Sequence, residues 1–413
     1  MKITMPLKKL SKAVEVASPA ALTKKAQDND RKQIKPTDSC IKISANKDNV
    51  MFESSSPTVS VRHTLPIEEG IVIEQEGSIC SDAKGYLKLM DTLKSDYSIQ
   101  ITSEENKKDD KESSSWIVQP NGRITTLAIQ DNIEKRKGFN NTYPVAEFTA
   151  VDYNHNKVLF SITTKALKAS VGKVIFVTDP NDSSHIYDNI AIFVLDNKIY
   201  FAGTDGKRCA IYAADEMDAI IELDNQKILI NAELLQKACK SFGNAIIEVI
   251  DCEDQEHIML SSGNTKVRLR MASEKIKQPF PNISGLLKLD FPTTIVANKA
   301  ELLNGIEFLR QYNSAKSTYY FKNGKSEIKI EATNRENEAV IAIVECEKIS
   351  TRIVHPVAMS NSFVMDYLKK IKGGKVKISI TSDEKRIKMV SANDNSFIYL
   401  MQRMTLPQAK TNT

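Results

Sequence analysis

Ile190-Ala191-Ile192-Phe193-Val194, then Asp196-Asn197, then Lys198-Ile199-Tyr200-Phe201-Ala202 reads as a β-hairpin. Two β-rich runs are parted by a pair of residues that tolerate left-handed backbone, the chemistry of a tight hairpin turn. The figure recurs twice. Cys40-Ile41-Lys42-Ile43-Ser44 faces Val50-Met51-Phe52-Glu53 across Asn46-Lys47-Asp48-Asn49, and Tyr319-Tyr320-Phe321 faces Glu327-Ile328-Lys329-Ile330-Glu331 across Asn323-Gly324-Lys325. A repeat this long lies outside the roughly 20–50-residue periods of solenoids, so each copy is a folding unit of its own.

Working outward, each hairpin is preceded by a strand and a helix and followed by a second helix and three strands. First helices are predicted over 6–16, 163–173 and 298–311, after strands at Lys2-Ile3-Thr4, Leu159–Ile162 and Thr294–Ala297. Pro6 is placed in the first helical turn, where its missing N–H costs nothing. Thr163 or Thr164 and Asn298 are N-caps, and Leu7, Leu10 and Val14 form a buried stripe. Second helices are predicted over 82–94, 231–242 and 360–372, opened by Asp82, Asn231 and Ser360. Tyr86, Met90 and Leu93 match Leu235, Cys239 and Phe242, and match Val364, Leu368 and Ile371, all at inward-facing helical spacing. In the last copy the closing strands are Lys375–Ile380, Arg386–Val390 and Ser396–Leu400. The fold class is α+β: three repeated domains, 1–150, 151–285 and 286–413, each with two helices on antiparallel sheets. Gln100–Trp116, with its charged centre, is expected as a solvated hairpin tip, and 131–151 and Gln278–Asn282 as linkers.

The 413 residues carry a net charge of +5, with 41% hydrophobic and 26% charged residues. That supplies more than one core and excludes a disordered or histone-like chain. No apolar run reaches the roughly 18–20 residues of a membrane span, and the start Met1-Lys2-Ile3-Thr4-Met5-Pro6 has no signal-peptide pattern. A cytoplasmic location is expected. The six cysteines (Cys40, Cys80, Cys209, Cys239, Cys252 and Cys346) have no zinc spacing and read as buried thiols. His63, His155, His185, His257 and His355 form no metal or catalytic motif. No metal and no cofactor is expected.

The location of the charge matters more than its total. The six helical segments together carry +9 and everything else −4. Lysine is a good helix former, so one basic helix means little; five of six, against an acidic remainder, is the polarity of a nucleic-acid face. With no helix-turn-helix, zinc-finger or stacking aromatic signature, the contact is expected at phosphates, independent of sequence and sensitive to salt.

The order of elements and several motifs resemble the bacterial β sliding clamp, the processivity ring of the replicative DNA polymerase (the DNA polymerase III beta subunit family). Thr204-Asp205-Gly206-Lys207-Arg208-Cys209-Ala210, directly after the central hairpin, is similar to the family's T-D-G-H-R-L-A. The start Met1-Lys2-Ile3-Thr4, the segment Asn334-Arg335-Glu336-Asn337-Glu338 and the ending Tyr399-Leu400-Met401-Gln402-Arg403-Met404-Thr405-Leu406 add to it, the last similar to Y-V-V-M-P-M-R-L. Lys207, Cys209, Arg403 and Thr405 depart from those patterns, and Pro407–Thr413 extends past the family's usual end.

The resemblance implies a head-to-tail homodimer whose six domains close a ring, helices inside and sheets outside. It implies duplex DNA, a DNA polymerase, a clamp loader and other proteins with a clamp-binding peptide as partners, in a nucleoid-associated role. Residues expected at DNA are Lys8, Lys9, Lys12, Lys84, Lys88, Lys165, Lys168, Lys173, Lys237, Lys240, Arg310, Lys369 and Lys370. The family's peptide pocket, carried over position by position, falls on Val171, Thr204, Gly206, Lys207, Arg208, Cys209, Leu235, Leu400, Met401, Arg403 and Met404. Ile124, Leu309 and Tyr312 are the candidates for the dimer seam. Leu235 and Leu400 also read as ordinary core leucines.

An enzyme is not expected. Gly203–Lys207 is too short for a phosphate-binding P-loop and follows a hairpin, and Asp251–Glu256 lacks the glycine of a calcium loop. The rival reading is a nucleic-acid-binding scaffold, or a clamp-like regulator of replication, that does not encircle DNA.

Overall fold

The computed structural model describes residues 1–21, 36–92, 98–105, 112–119, 148, 150–182, 184, 186–214, 227–272, 280–312, 316–321, 326–333, 338–350 and 356–405. Seven α-helices lie among them: α1 (Leu7–Ala21), α2 (Ala83–Thr92), α3 (Thr164–Val174), α4 (Ala232–Ala238), α5 (Ile283–Leu287), α6 (Lys299–Arg310) and α7 (Asn361–Lys370). Each segment predicted as a helix contains one. The caps follow the sequence: Asp82 accepts from Gly85 N at 2.9 Å, Thr163 from Ala166 N at 3.1 Å, Asn298 from Ala300 N at 2.9 Å and Ser360 from Phe363 N at 3.4 Å. Each satisfies an N–H that the helix itself leaves without a partner.

Two boundaries differ from the sequence reading. Pro6 is the last residue of the strand Lys2–Pro6, opposite Ser98, and the helix starts at Leu7. Ile3 and Met5 both point into the core, so the extended alternation runs through to Pro6 before the helical period takes over. The helix then continues past Val16, because Ala17, Ala20 and Ala21 extend its buried stripe. Within Gln278–Asn282 the described end caps a short helix, with Asn282 accepting from Gly285 N.

The chain forms two compact units, and each is built on continuous antiparallel sheet. The first comprises Met1–Leu167 and Glu233–Met271, as far as they are described. It holds a four-stranded sheet in the order Val72–Gln75, Lys2–Pro6, Ser98–Glu105, Glu112–Gln119. It also holds an eight-stranded sheet in the order Gly77–Asp82, Cys40–Ala45, Asn49–Ser55, Val59–Pro66, Thr265–Arg270, His257–Ser262, Ile246–Cys252, His155–Thr163. The join at the middle pairs Val61 with Val267 and Ser60 with Arg268, so strands from the first and second sequence repeats share one ladder. That pairing removes two sheet edges that would otherwise be open to aggregation. Helix α1 lies on this sheet beside α2, its Leu10 and Val14 packed with Ile43 and Phe52.

The second unit comprises Lys168–Asp215, Leu223–Ala232 and Ala272–Thr413, as far as they are described. Its twelve-stranded sheet follows the same logic. The hairpin Asn189–Leu195 and Lys198–Thr204 turns on Asp196 and Asn197, both at positive φ (50° and 57°), as its sequence required. The next strand, Arg208–Ala213, pairs with the last strand, Asp394–Gln402, placing Cys209 opposite Leu400 and Arg208 opposite Met401. Helices α6 and α7 pack side by side in this unit, where Tyr367 stacks on Tyr399 with ring centroids 5.0 Å apart and donates from its hydroxyl to Phe397 O at 3.0 Å. All six cysteines are free and buried.

Candidate functional site

The helix cations separate into exposed and engaged groups. On α1 the face made by Leu7, Leu10, Ala13, Val14 and Ala17 is buried, which leaves Lys8 and Lys12 on the exposed side. Lys84, Lys165, Lys168, Lys240, Arg310, Lys369 and Lys370 are also exposed, and Lys237 is half-buried. Lys9 donates to Glu68 and to the Glu69 carbonyl, both at 3.0 Å. Lys369 lies 3.7 Å from Glu307, and Arg310 contacts the Met365 sulfur. The backbone of Lys88 is in α2, and its side chain is outside the described residues.

Lys173 is engaged differently. Its ammonium donates to the Lys370 carbonyl at 2.8 Å and sits 4.6 Å from the Phe397 ring centroid, and burial lowers its pKa. Lys299 donates in the same way to the Ile371 carbonyl at 2.8 Å. The carbonyls at a helix C-terminus have no intrahelical partner and carry partial negative charge. Two lysines from elsewhere in the unit therefore cap α7.

The loop 204–209 is built by its own side chains. Thr204 Oγ1 donates to the Arg208 carbonyl at 2.7 Å and accepts from Gly206 N at 3.0 Å. Asp205 Oδ1 accepts from Lys207 N and Arg208 N, both at 2.9 Å. Gly206 has φ +81°, and a Cβ there would lie 2.9 Å from the Tyr187 hydroxyl, so both backbone and space demand glycine. At Gly203 a Cβ would lie 2.6 Å from the Val174 carbonyl.

Arg208 is the fixed centre of this loop. Its guanidinium donates to Asp205 Oδ2 at 2.9 Å and to Asp366 Oδ2 of α7 at 2.6 Å, and lies 4.3 Å from the Phe363 ring centroid. Burial opposes its charge, but the hydrogen bond with Asp366, the neighbouring Tyr399 and the hydrogen bond with Asp205 outweigh burial and push its pKa up. Burial, with the Asp205 carboxylate, pushes the Cys209 thiol up, so it stays protonated. The last strand closes against the loop: Gln402 N donates to the Lys207 carbonyl at 2.9 Å and Gln402 Nε2 to the Gly206 carbonyl at 3.1 Å.

The loop residues Thr204, Gly206, Lys207, Arg208 and Cys209 thus lie along the last strand at Leu400, Met401 and Gln402, which leads on to Arg403 and Met404. The apolar members are closed. Cys209 and Leu400 share one core cluster, and Val171, Leu235 and Met401 are each at most 2% exposed. The open part is a groove of about 400 Å³ lined by Lys385, Arg386, Gln402, Arg403, Met404 and Thr405. Lys385, Arg386, Gln402 and Thr405 are not among the pocket residues that the sequence suggests. The register that pairs Arg386 with Gln402 brings them in, and it is set at the hairpin turn between Ser391 and Asp394. Tyr187, against Gly206, was also missed; no motif marks it.

Of the seam candidates, Leu309 is fully buried, Tyr312 is 40% exposed, and Ile124 lies outside the described residues. Tyr312 meets Phe308, 42% exposed, edge to face at 5.4 Å. In the same unit, strand Ala339–Ser350 exposes Ile341 (45%) and Ile343 (66%). Residues 339–345 of that strand pair with 333–327 on one side, and among the described residues nothing pairs with them on the other. Among the described residues there is no cluster of metal-ligating side chains, and no helix is long and apolar enough to cross a membrane.

Comparison with known proteins fits this architecture. Residues 158–282 match the family described as DNA polymerase III beta subunit, N-terminal domain. The Beta sliding clamp of Bacillus subtilis (strain 168) is 21% identical over 372 residues, covering 87% of this chain and 90% of that protein. The crystal structure of the Bacillus subtilis DNA polymerase sliding clamp superposes with a TM-score of 0.77 at 19% identity, over 98% of this chain and all of that one. Over most of its length the chain is similar to the bacterial β sliding clamps. The DNA polymerase III subunit beta of Pseudomonas aeruginosa has the same TM-score, 0.77, at 16% identity and the same coverage. The fold is therefore that of a sliding clamp from end to end. A domain described as N-terminal matches the middle of this chain, as expected if one clamp unit is repeated along it.

Proposed function

We propose that this chain is a DNA sliding clamp: two copies close head to tail into a ring around duplex DNA and tether the replicative polymerase and other partners to it. The observation that carries the reading is the clamp fold over 98% of the chain, combined with helices whose exposed faces hold Lys8, Lys12, Lys84, Lys165, Lys168 and Lys240. The protomer is read as three clamp domains, 1–150, 151–285 and 286–413, with a cytoplasmic, nucleoid-associated role.

The physics needs no bond-making step and no cofactor. Exposed ammonium groups neutralise phosphates without reading bases, so the grip is electrostatic and independent of sequence. Closure makes retention topological, and a polymerase held on the ring sees its template at a high effective concentration. The loop 204–209 and the end of the last strand are the dock for partner peptides.

Closure requires a surface for the second copy. Phe308 and Tyr312 on α6, and separately Ile341 and Ile343 on a half-open strand, are exposed apolar side chains, and each feature favours association. On this reading Leu309 holds α6 from beneath while Tyr312 makes the contact. Light scattering after size exclusion is expected to give a mass near twice 46.2 kDa, and Ile343→Asp is expected to halve it. A wild-type protein that stays monomeric throughout the micromolar range contradicts the ring.

A further inference from the structure

The groove beside the loop 204–209 carries more charge than a dock for apolar side chains requires. Lys385, Arg386 and Arg403 line it, and exposed Lys207 stands next to it through the bond between its carbonyl and Gln402 N. Two acids lie close, and both are occupied. Asp383 accepts from Thr381 Oγ1 at 2.6 Å and from Lys385 N at 3.1 Å, and Glu384 accepts from Arg403 at 3.2 Å. The Thr381 hydrogen bond, helped by the charges of Lys385 and Arg386, holds the Asp383 carboxyl below its usual pKa, so both cations already feel one acid without being joined to it in a salt bridge among the described residues. Arg403 uses one of its five N–H donors on Glu384, which leaves the planar fork able to take a second carboxylate.

We propose that this groove selects partner peptides carrying an aspartate or glutamate side chain next to their apolar residues, with Arg403 and Arg386 receiving the carboxylate. The inference rests on the docking role proposed above and specifies its partner. A concavity of about 400 Å³ takes a few side chains rather than a duplex, and half-buried Met404 supplies an apolar wall beside the cations. Opposite charge in such a cleft sets specificity more than overall affinity. Glu384 is the internal competitor: while it holds Arg403, an incoming acid must share the guanidinium.

The test is a selection of randomised twelve-residue peptides, displayed with flanking sequence at both ends, on the full-length chain. Because no displayed peptide has a free C-terminus, only side-chain acids are scored. Recovered peptides are expected to be enriched in Asp or Glu at a constant distance from apolar residues. Changing that acid to its amide should weaken binding about tenfold in fluorescence anisotropy, the size of one charge-assisted contact. The double variant R386Q/R403Q should keep the apolar preference and lose the acidic one. Glu384→Gln should strengthen the acidic preference, a gain that misfolding does not produce. Recovery of apolar peptides with no acidic preference, or an acidic preference unchanged in R386Q/R403Q, overturns the proposal and leaves the dock standing. Failure to recover any peptide overturns the dock itself.

Discussion

Lys165 and Lys168 on α3 project into solvent, whereas Lys173, farther along the same helix, is bound to the end of α7 and to the Phe397 ring. The residue type is the same, and the neighbourhood decides the role. Near the start of α3 both side chains stay exposed. At its end the last carbonyls of α7 and an aromatic face provide one of the few places where a partly buried lysine gains as much as it loses. Arg208 is the extreme of the engaged class, with two carboxylates and a ring. On the proposed reading the exposed cations meet DNA, and the engaged ones hold the fold.

Replacing Arg208 by alanine should cause the largest loss in this set, about 2–3 kcal/mol of stability in denaturant unfolding, because it breaks two charge-assisted hydrogen bonds and leaves Asp205 and Asp366 without their cation. A loss below about 0.5 kcal/mol, the range of ordinary surface changes, places Arg208 among the exposed cations instead. Lys173→Ala and Lys299→Ala should each cost about 1 kcal/mol, the scale of a helix-terminus or ring contact. Both should leave the salt dependence of DNA association unchanged.

Lys165→Ala combined with Lys168→Ala is the mirror case. The melting curve should not move, and the slope of log affinity against log salt should fall by about 2, close to one per phosphate contact. If the Lys173 variant changes the slope while this pair does not, the assignment is reversed.

The smallest expected effect concerns pH in the first unit. His63, bonded to Thr265 at 2.8 Å, has its pKa lowered from 6.5 by burial and by nearby Lys12; His257 is lowered by burial and by Arg268. A depressed folded-state value means that the unfolded chain binds more protons below about pH 6.5. The contribution is fully present above that value and declines as pH falls through the folded-state pKa. Thermal stability should therefore fall on acidification from about pH 7.5 to 5.5, and His63→Gln should flatten the decline. An unchanged pH profile in that variant removes His63 as a cause.

The fold was legible because it is written three times. The caps Asp82, Asn298 and Ser360, the hairpin turn Asp196-Asn197 and the stripe Leu235, Cys239 and Phe242 are local signals that agree between copies. Pro6 misled because its fixed φ suits a strand end as well as a first helical turn. The way the repeats share sheets, Val61 with Val267 and Cys209 with Leu400, is a long-range register that no local pattern reports. The site was legible in part for the same reason. Thr204–Cys209 is a contiguous motif whose internal hydrogen bonds explain its residue types. The groove cations Lys385 and Arg386 arrive from another hairpin, and charge counting merges Lys173 with Lys165.

The central claim is encirclement, and retention on DNA of different topology tests it most directly. The chain is loaded onto nicked circular duplex and passed over a sizing column, before and after one cut linearises the circle. A sliding ring stays with the circle and runs off the linear form. Equal loss from both, or retention on both, contradicts encirclement and favours a scaffold that merely binds.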